Sequence, residues 1–184
     1  VSAAPHGIRA VTAALEGSSA VVEVSTALTG TADSVTYELA DAEGQVLATA
    51  EGLGTVQLAA NGITPWTPET PALYTLRVNV TAIGTSDSAE QRIGIRTIQV
   101  SSKTGLLLNG QPRTMKGGCI HHDLGILGAA DHAAAERRRI RLMKESGFDA
   151  IRAAHNPFGP AFLNACDELG MLVVEEAFDE WVMG

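Results

Sequence analysis

The first hundred residues alternate apolar and polar positions with a period of two, and the remainder switches to helical spacing between short apolar runs. Residues 20–28 (AVVEVSTAL) and 34–39 (SVTYEL) alternate with β-branched enrichment, and residues 41–45 (DAEGQ) supply a glycine-containing turn into residues 46–50. Residues 55–59, 72–81 (ALYTLRVNVT) and 89–100 continue the pattern. Short strands at regular spacing, without helical periodicity, predict a seven-strand antiparallel sandwich of immunoglobulin-like kind. The Cys-Trp-Cys framework of antibody-type domains is missing, which excludes that branch.

Three prolines stiffen the approach to one strand in residues 64–76 (TPWTPETPALYTL), because each fixes φ and biases the residue before it to extended conformations. Trp66 is expected to anchor this loop in a core or a domain interface, with sugar stacking as the lesser alternative. A polar break at residues 101–105 (SSKTG) predicts the boundary between domains 1–102 and 103–184. Residues 106–112 (LLLNGQP) then predict a short hairpin, since Asn109-Gly110 is the strongest two-residue turn signal.

The second part reads β-α-β-α-β, which predicts parallel strands joined by right-handed crossovers with helices covering the sheet. A strand near residues 114–120 delivers His121, His122 and Asp123. A helix over residues 131–146 follows, with Asp131 as N-cap, Ile140, Leu142 and Met143 toward the core, and Gly147 at its end. The strand over residues 150–154 leads to His155 and Asn156 and stops at Pro157. Pro160 opens the second helix, where Phe162, Ala165, Cys166 and Leu169 fall at i, i+3, i+4 and i+7, and Gly170 closes it. Residues 171–174 form the third strand, which delivers Glu175, Glu176, Asp179, Glu180 and Trp181. Imidazoles and carboxylates at the carboxyl ends of successive parallel strands stand where α/β barrels and doubly wound sheets keep their active sites.

Charge and composition sharpen this division. Four of the 13 Lys+Arg and ten of the 21 Asp+Glu lie in residues 1–100, whose only histidine is His6; the other four histidines lie between His121 and His155. A net charge of -8, with Arg137, Arg138, Arg139 and Arg141 among acidic neighbours, argues against a nucleic-acid partner. No apolar run approaches the ~20 residues of a membrane helix, and no leader of signal type opens the chain at Val1. A cytoplasmic protein is expected, although a secreted or periplasmic one whose leader was removed would look alike. Cys119 and Cys166, on separate elements, are expected to be small core residues rather than a bridge or a metal pair.

Several motifs resemble glycoside hydrolase family 2, the β-galactosidase, β-glucuronidase and β-mannosidase group. They are Pro-Trp-x-Pro-x-x-Pro-x-Leu-Tyr at residues 65–74, Gly94-Ile95-Arg96 and the Leu-Asn-Gly-x-Pro hairpin at residues 108–112. Further on come Lys116-Gly117-Gly118 with His121-His122-Asp123, Asp149 to Arg152 leading to His155-x-Pro157, and residues 166–170 (CDELG) followed by Glu175-Glu176-Ala177. The HHDLGILG run at residues 121–128 most resembles the β-galactosidase branch. The resemblance implies an immunoglobulin-like sandwich followed by the first three βα units of a (β/α)8 barrel. It also implies a β-galactoside or related carbohydrate as ligand, no organic cofactor, and open scope for homo-oligomer formation by the full-length protein.

Sugar contacts are implied for His121 and His155, with Arg152 supporting them and Asn156 and Glu180 beside the same pocket. Asp123 either joins them or holds a loop or an imidazole tautomer, and Glu175 and Glu176 could equally be a salt-bridging pair. Some family members hold Mg²⁺ through the acid matching Glu180 and a histidine two residues later; Val182 stands at that position, so no metal is expected there. Retaining hydrolysis in the family uses two glutamates, on the fourth and seventh barrel strands, and these are expected beyond Gly184. A (β/α)8 barrel takes roughly 250 residues, so the chain is expected to be an inactive piece of a longer enzyme whose N-terminal jelly-roll domain also lies outside it. Hydrolysis of β-glucuronides or β-mannosides and a non-catalytic carbohydrate-binding module are the alternatives.

Overall fold

The structure, a computed structural model, describes residues 4–179. The chain divides into two compact units: the first holds the chain through Trp66 and Ala72–Pro112, the second holds Thr67–Pro71 and the chain from Arg113 onward.

Seven antiparallel strands form the body of the first unit. β1 (Ala4–Glu16), β2 (Ser19–Thr29) and β5 (Val56–Ala60) pair in the order β1-β2-β5, while β3 (Ser34–Ala40), β4 (Val46–Glu51), β6 (Tyr74–Ala82) and β7 (Thr85–Ile93) pair in the order β4-β3-β6-β7. Alternation does what it predicts. Val22 and Val24 of β2, Val35, Tyr37 and Leu39 of β3, Leu58 of β5, and Leu76, Val78 and Val80 of β6 are buried in one core drawn from both sheets. Polar partners of these residues face away, as two stacked sheets require.

Two strands escaped the pattern. β1 has no fully buried residue and its register shifts between His6 and Arg9 and between Thr12 and Ala14, so bulges confine its alternation to residues 8–12. β7 is an edge strand with only Ala89 and Ile93 partly covered, and the expected single segment over residues 89–100 is in fact the end of β7, an irregular stretch, and β8 (Ile98–Ser101).

β8 pairs with β9 (Gly105–Leu108), which pairs with β10 (Gln111–Pro112) across Asn109-Gly110. Asn109 and Gly110 both have positive φ, 51° and 75°, as a type I′ turn demands. Asn109 then works twice more: its Oδ1 accepts the Thr97 N–H at 2.9 Å and its Nδ2 donates to the Trp66 carbonyl at 3.1 Å. Trp66 is fully buried, with the Arg96 guanidinium 4.5 Å from its ring centre. A ring with no exposed face anchors the loop and has none to offer a sugar.

In the second unit, β11 (Gly117–Ile120), β12 (Ala150–Ala153) and β13 (Leu172–Glu175) form a parallel sheet in that order. α1 (Ala133–Glu145) and α2 (Pro160–Leu169) are the crossovers. Ile151 and Ala153 face the helices and join Ile140, Phe158, Phe162, Ala165, Cys166 and Met171 in the core. Cys119, Arg152 and Val174 form one row of the ladder on the opposite face and are exposed.

Four expectations need correcting here. Cys119 is exposed, because it lies on the open face of β11; only Cys166 is a core residue. Leu142 is 39% exposed: two residues beyond Ile140 is about 200° around a helix, and the buried stripe is Glu136, Ile140 and, in part, Met143. β11 begins at Gly117, three residues later than read from the sequence. Finally, His132 and not Asp131 sits at the N-cap of α1, with no side-chain cap. The Asp131 carboxylate instead accepts the Ala161 N–H of α2 at 3.0 Å. It occupies the space beside Gly159 that a side chain there would fill.

Candidate active site

Parallel strands bring their carboxyl ends to one edge, so the residues that follow them collect there. His121 comes directly after β11, His155 two residues after β12, and Glu176 directly after β13. The His121 and His155 rings lie 5.2 Å apart, centre to centre, at 58°. His155 Nδ1 is 3.1 Å from Glu176 Oε2, and the Ala154–His155 peptide is cis. Arg152 reaches the same carboxylate from within β12, donating to Glu176 Oε1 through Nε at 2.8 Å and Nη2 at 2.5 Å. Its Nη1 lies 3.5 Å from Cys119 Sγ. Hydrogen bonding from Arg152 holds the Glu176 carboxyl below the ordinary carboxylate range, and Glu176 in turn raises Arg152. Both groups are open to solvent, so the pair orients side chains more than it stabilises the fold.

The loop that carries His121 is fastened from α1. Arg139 Nη1 donates to the Asp123 carbonyl at 3.2 Å and to the His121 carbonyl at 3.4 Å. The same guanidinium binds Glu136 Oε2 through Nε and Nη2, at 3.0 and 2.6 Å, and lies 5.6 Å from the rings of Phe158 and Phe162. Glu136 is 4% exposed, a buried carboxylate neutralised by a cation that also serves the loop. His122 stacks on Phe158 at 3.9 Å, with Nε2 3.1 Å from the Pro157 carbonyl oxygen, and so ties the β11 loop to the β12 loop. Glu175 Oε1 accepts the Phe158 N–H at 2.8 Å and fixes that ring from β13.

Of the residues expected to meet a sugar, His121, His155 and Arg152 are gathered at this edge, and Asn156 is exposed next to His155. Asp123 turns into its own loop, where Oδ1 accepts the Gly125 N–H at 2.8 Å. Glu180 and Val182 lie outside the described residues. Sequence reading did not find the Glu136–Arg139 pair; its signal was two charges at i and i+3, one of them falling on the apolar stripe of α1. Among the described residues, no group of three or more His, Cys, Asp or Glu is arranged to hold a metal ion. No helix among them is long and apolar enough to cross a membrane.

Residues 8–96 match the model described as glycosyl hydrolases family 2, and residues 98–182 match that of the family's TIM barrel domain. A β-galactosidase of Bacteroides ovatus, BoGH2A, is 35% identical over 95% of this chain and 22% of its own length. A putative β-glucuronidase of Formosa agariphila is 33% identical over 96% of the chain and 18% of its own. The chain thus spans about a fifth of these curated relatives. Among solved structures, a family 2 glycosyl hydrolase of Bacteroides cellulosilyticus superposes with a TM-score of 0.90 at 35% identity, covering 97% of this chain and 27% of that one. The β-glucuronidase of Ruminococcus gnavus gives 0.87 at 27% identity, covering 95% and 30%.

Proposed function

Because the chain belongs to glycoside hydrolase family 2, we propose that it contributes the sandwich and the opening strands of the barrel to a retaining glycosidase acting on terminal β-D-galactosides. The observation that carries this reading is the pair of imidazoles, His121 and His155, 5.2 Å apart on the loops of adjacent parallel strands. Two such groups can engage neighbouring hydroxyls of one sugar ring, and bonds that strengthen as oxocarbenium-like charge develops lower the barrier. In this reading Asn156 and Glu180 extend the contact surface. Arg152 supports it through Glu176, and Asp123 acts through the order of its loop.

Galactose is favoured by the HHDLGILG run at residues 121–128 and by the β-galactosidase relative. A glucuronide is the second reading, supported by the β-glucuronidase relatives. A uronate requires a cation, however, and Arg152 is already engaged by Glu176. Double displacement requires two carboxyls about 5–5.5 Å apart across the scissile bond. Glu175 is bound to backbone and Glu176 to Arg152, so neither is suited to that work. We assign the acid/base and the nucleophile to later strands of the barrel, carried by a longer polypeptide, and expect the 184-residue chain alone to be inactive.

The test compares aryl β-galactoside, β-glucuronide and β-mannoside on both polypeptides. The longer one is expected to hydrolyse the galactoside fastest while the 184-residue chain stays at the buffer blank. A preference for the glucuronide or mannoside would replace the sugar. Turnover by the short chain would sink its assignment as inactive, and glycan binding by the sandwich alone would favour a non-catalytic module.

A further inference from the structure

The two oxygens of Glu176 are divided between two neighbours: Oε1 takes Nε and Nη2 of Arg152, and Oε2 faces His155 Nδ1. A carboxylate bound to a guanidinium stays ionised and can only accept, so the proton between Oε2 and Nδ1 belongs to the imidazole. We propose that Glu176 is a positioning residue that keeps the His155 proton on Nδ1 and so sets the hydrogen-bonding role of the other ring nitrogen. Its geometry stands alone, and its consequence for turnover rests on the glycosidase reading above. Which ring nitrogen of a histidine is protonated follows from the bond made by the other. With the proton on Nδ1, an imidazole above its ordinary titration range has Nε2 as its acceptor, the role that a sugar hydroxyl would meet in the glycosidase reading.

The division of oxygens makes the isosteric substitution informative. In Glu176→Gln the amide presents its one oxygen to Arg152, because a guanidinium has no acceptor to offer the NH₂ group. The NH₂ group then faces Nδ1, which must supply a lone pair, and the ring proton moves to Nε2. Glu176→Ala removes the acceptor and releases the ring to the same tautomer without relying on amide orientation.

The experiment is long-range proton–nitrogen correlation of the His155 ring in the ¹⁵N-labelled chain, at about pH 8, above the ordinary imidazole range. The expected result is a proton on Nδ1 in the native chain and on Nε2 in Glu176→Gln and Glu176→Ala, with an unchanged methyl spectrum certifying the fold. A lone pair on Nδ1 in the native chain, or a ring spectrum that neither variant moves, overturns the proposal. In the longer polypeptide, Glu176→Gln is expected to lower kcat about 10- to 100-fold with a smaller change in KM, by analogy with the carboxylates that orient metal-bound histidines from behind. If that polypeptide hydrolyses no glycoside while the tautomer moves as stated, the glycosidase reading fails and the role of Glu176 stands. If it is active and the tautomer does not move, the reverse holds.

Discussion

Gly170 shows how one residue can bind two segments. It ends α2 in the left-handed region at φ 77°, and a Cβ there would run into the Pro68 carbonyl. Lys144 Nζ donates to the carbonyls of both Pro68 and Gly170, at 2.9 and 2.8 Å. Gly170→Ala is therefore expected to cost about 1–2 kcal/mol from its backbone conformation and more from the displaced loop. A urea midpoint equal to that of the native chain would refute this. The same loop carries Glu69, whose two oxygens accept from Arg113 at 2.7 and 3.0 Å. That pairing holds the Glu69 carboxyl below its ordinary range. Folded Glu69 thus binds protons less readily than unfolded Glu69. Its contribution is complete above the ordinary carboxylate pKa and fades as pH falls through the lower folded value. Because Glu69 is 63% exposed, the effect is expected to stay under about 1 kcal/mol. Urea melts over a pH series should show a shallower acid limb for Glu69→Gln. Among single residues, His121 and His155 were legible because each follows a strand that announces itself. Arg152 was expected beside them, but its bond to Glu176 was not legible, since the two are 24 residues apart and nothing local links them.

At the level of elements, α2 was legible because proline opens it, glycine closes it, and its apolar residues keep a helical period. The start of α1 was misread because Asp131, adjacent to it in sequence, serves α2 across 30 residues. Asp131→Ala is accordingly expected to destabilise by about 1 kcal/mol, a capping loss, with the protection lost at the first turn of α2 and not of α1. Amide exchange distinguishes the two. The heavier dependence of α1 is on Glu136 and Arg139, whose side chains are 5% and 16% exposed. Removing one partner of a buried pair typically costs about 3–5 kcal/mol, because the other charge is left uncompensated. Arg139→Met should approach that figure and also free the carbonyls of His121 and Asp123. Arg137→Met, which breaks a more exposed pair with Glu168, should cost under about 1 kcal/mol. Comparable denaturation midpoints for the two variants would contradict this ranking. Of the edge strands, β7 was illegible because a strand that buries almost nothing needs no alternation, and β1 because its bulges confine alternation to a short middle stretch.

For the molecule as a whole, the order of a sandwich followed by a parallel sheet was readable, since it depends only on the change of period along the chain. Membership of Thr67–Pro71 in the second unit was not, because it rests on Glu69 with Arg113, 44 residues away, and Pro68 with Lys144, 76 away. The two cysteines convert the second unit into a measurable object. Cys119 is exposed on the open face of the sheet, whereas Cys166 is 2% exposed in the core, where burial pushes its thiol well above the usual range. Since the thiolate is the reacting form, a thiol reagent should titrate one group per native chain quickly and the second only as the core opens. Ile151 packs in that same core, and Ile151→Ala is expected to lose about 2–5 kcal/mol. That variant should therefore bring the second thiol into reach at a lower urea concentration, while the first reacts at an unchanged rate. Two fast thiols in native buffer would place Cys166 outside the core and overturn the packing described for α2. A second thiol unmoved by Ile151→Ala would mean that its exposure reports local opening of α2 and not unfolding of the sheet it covers.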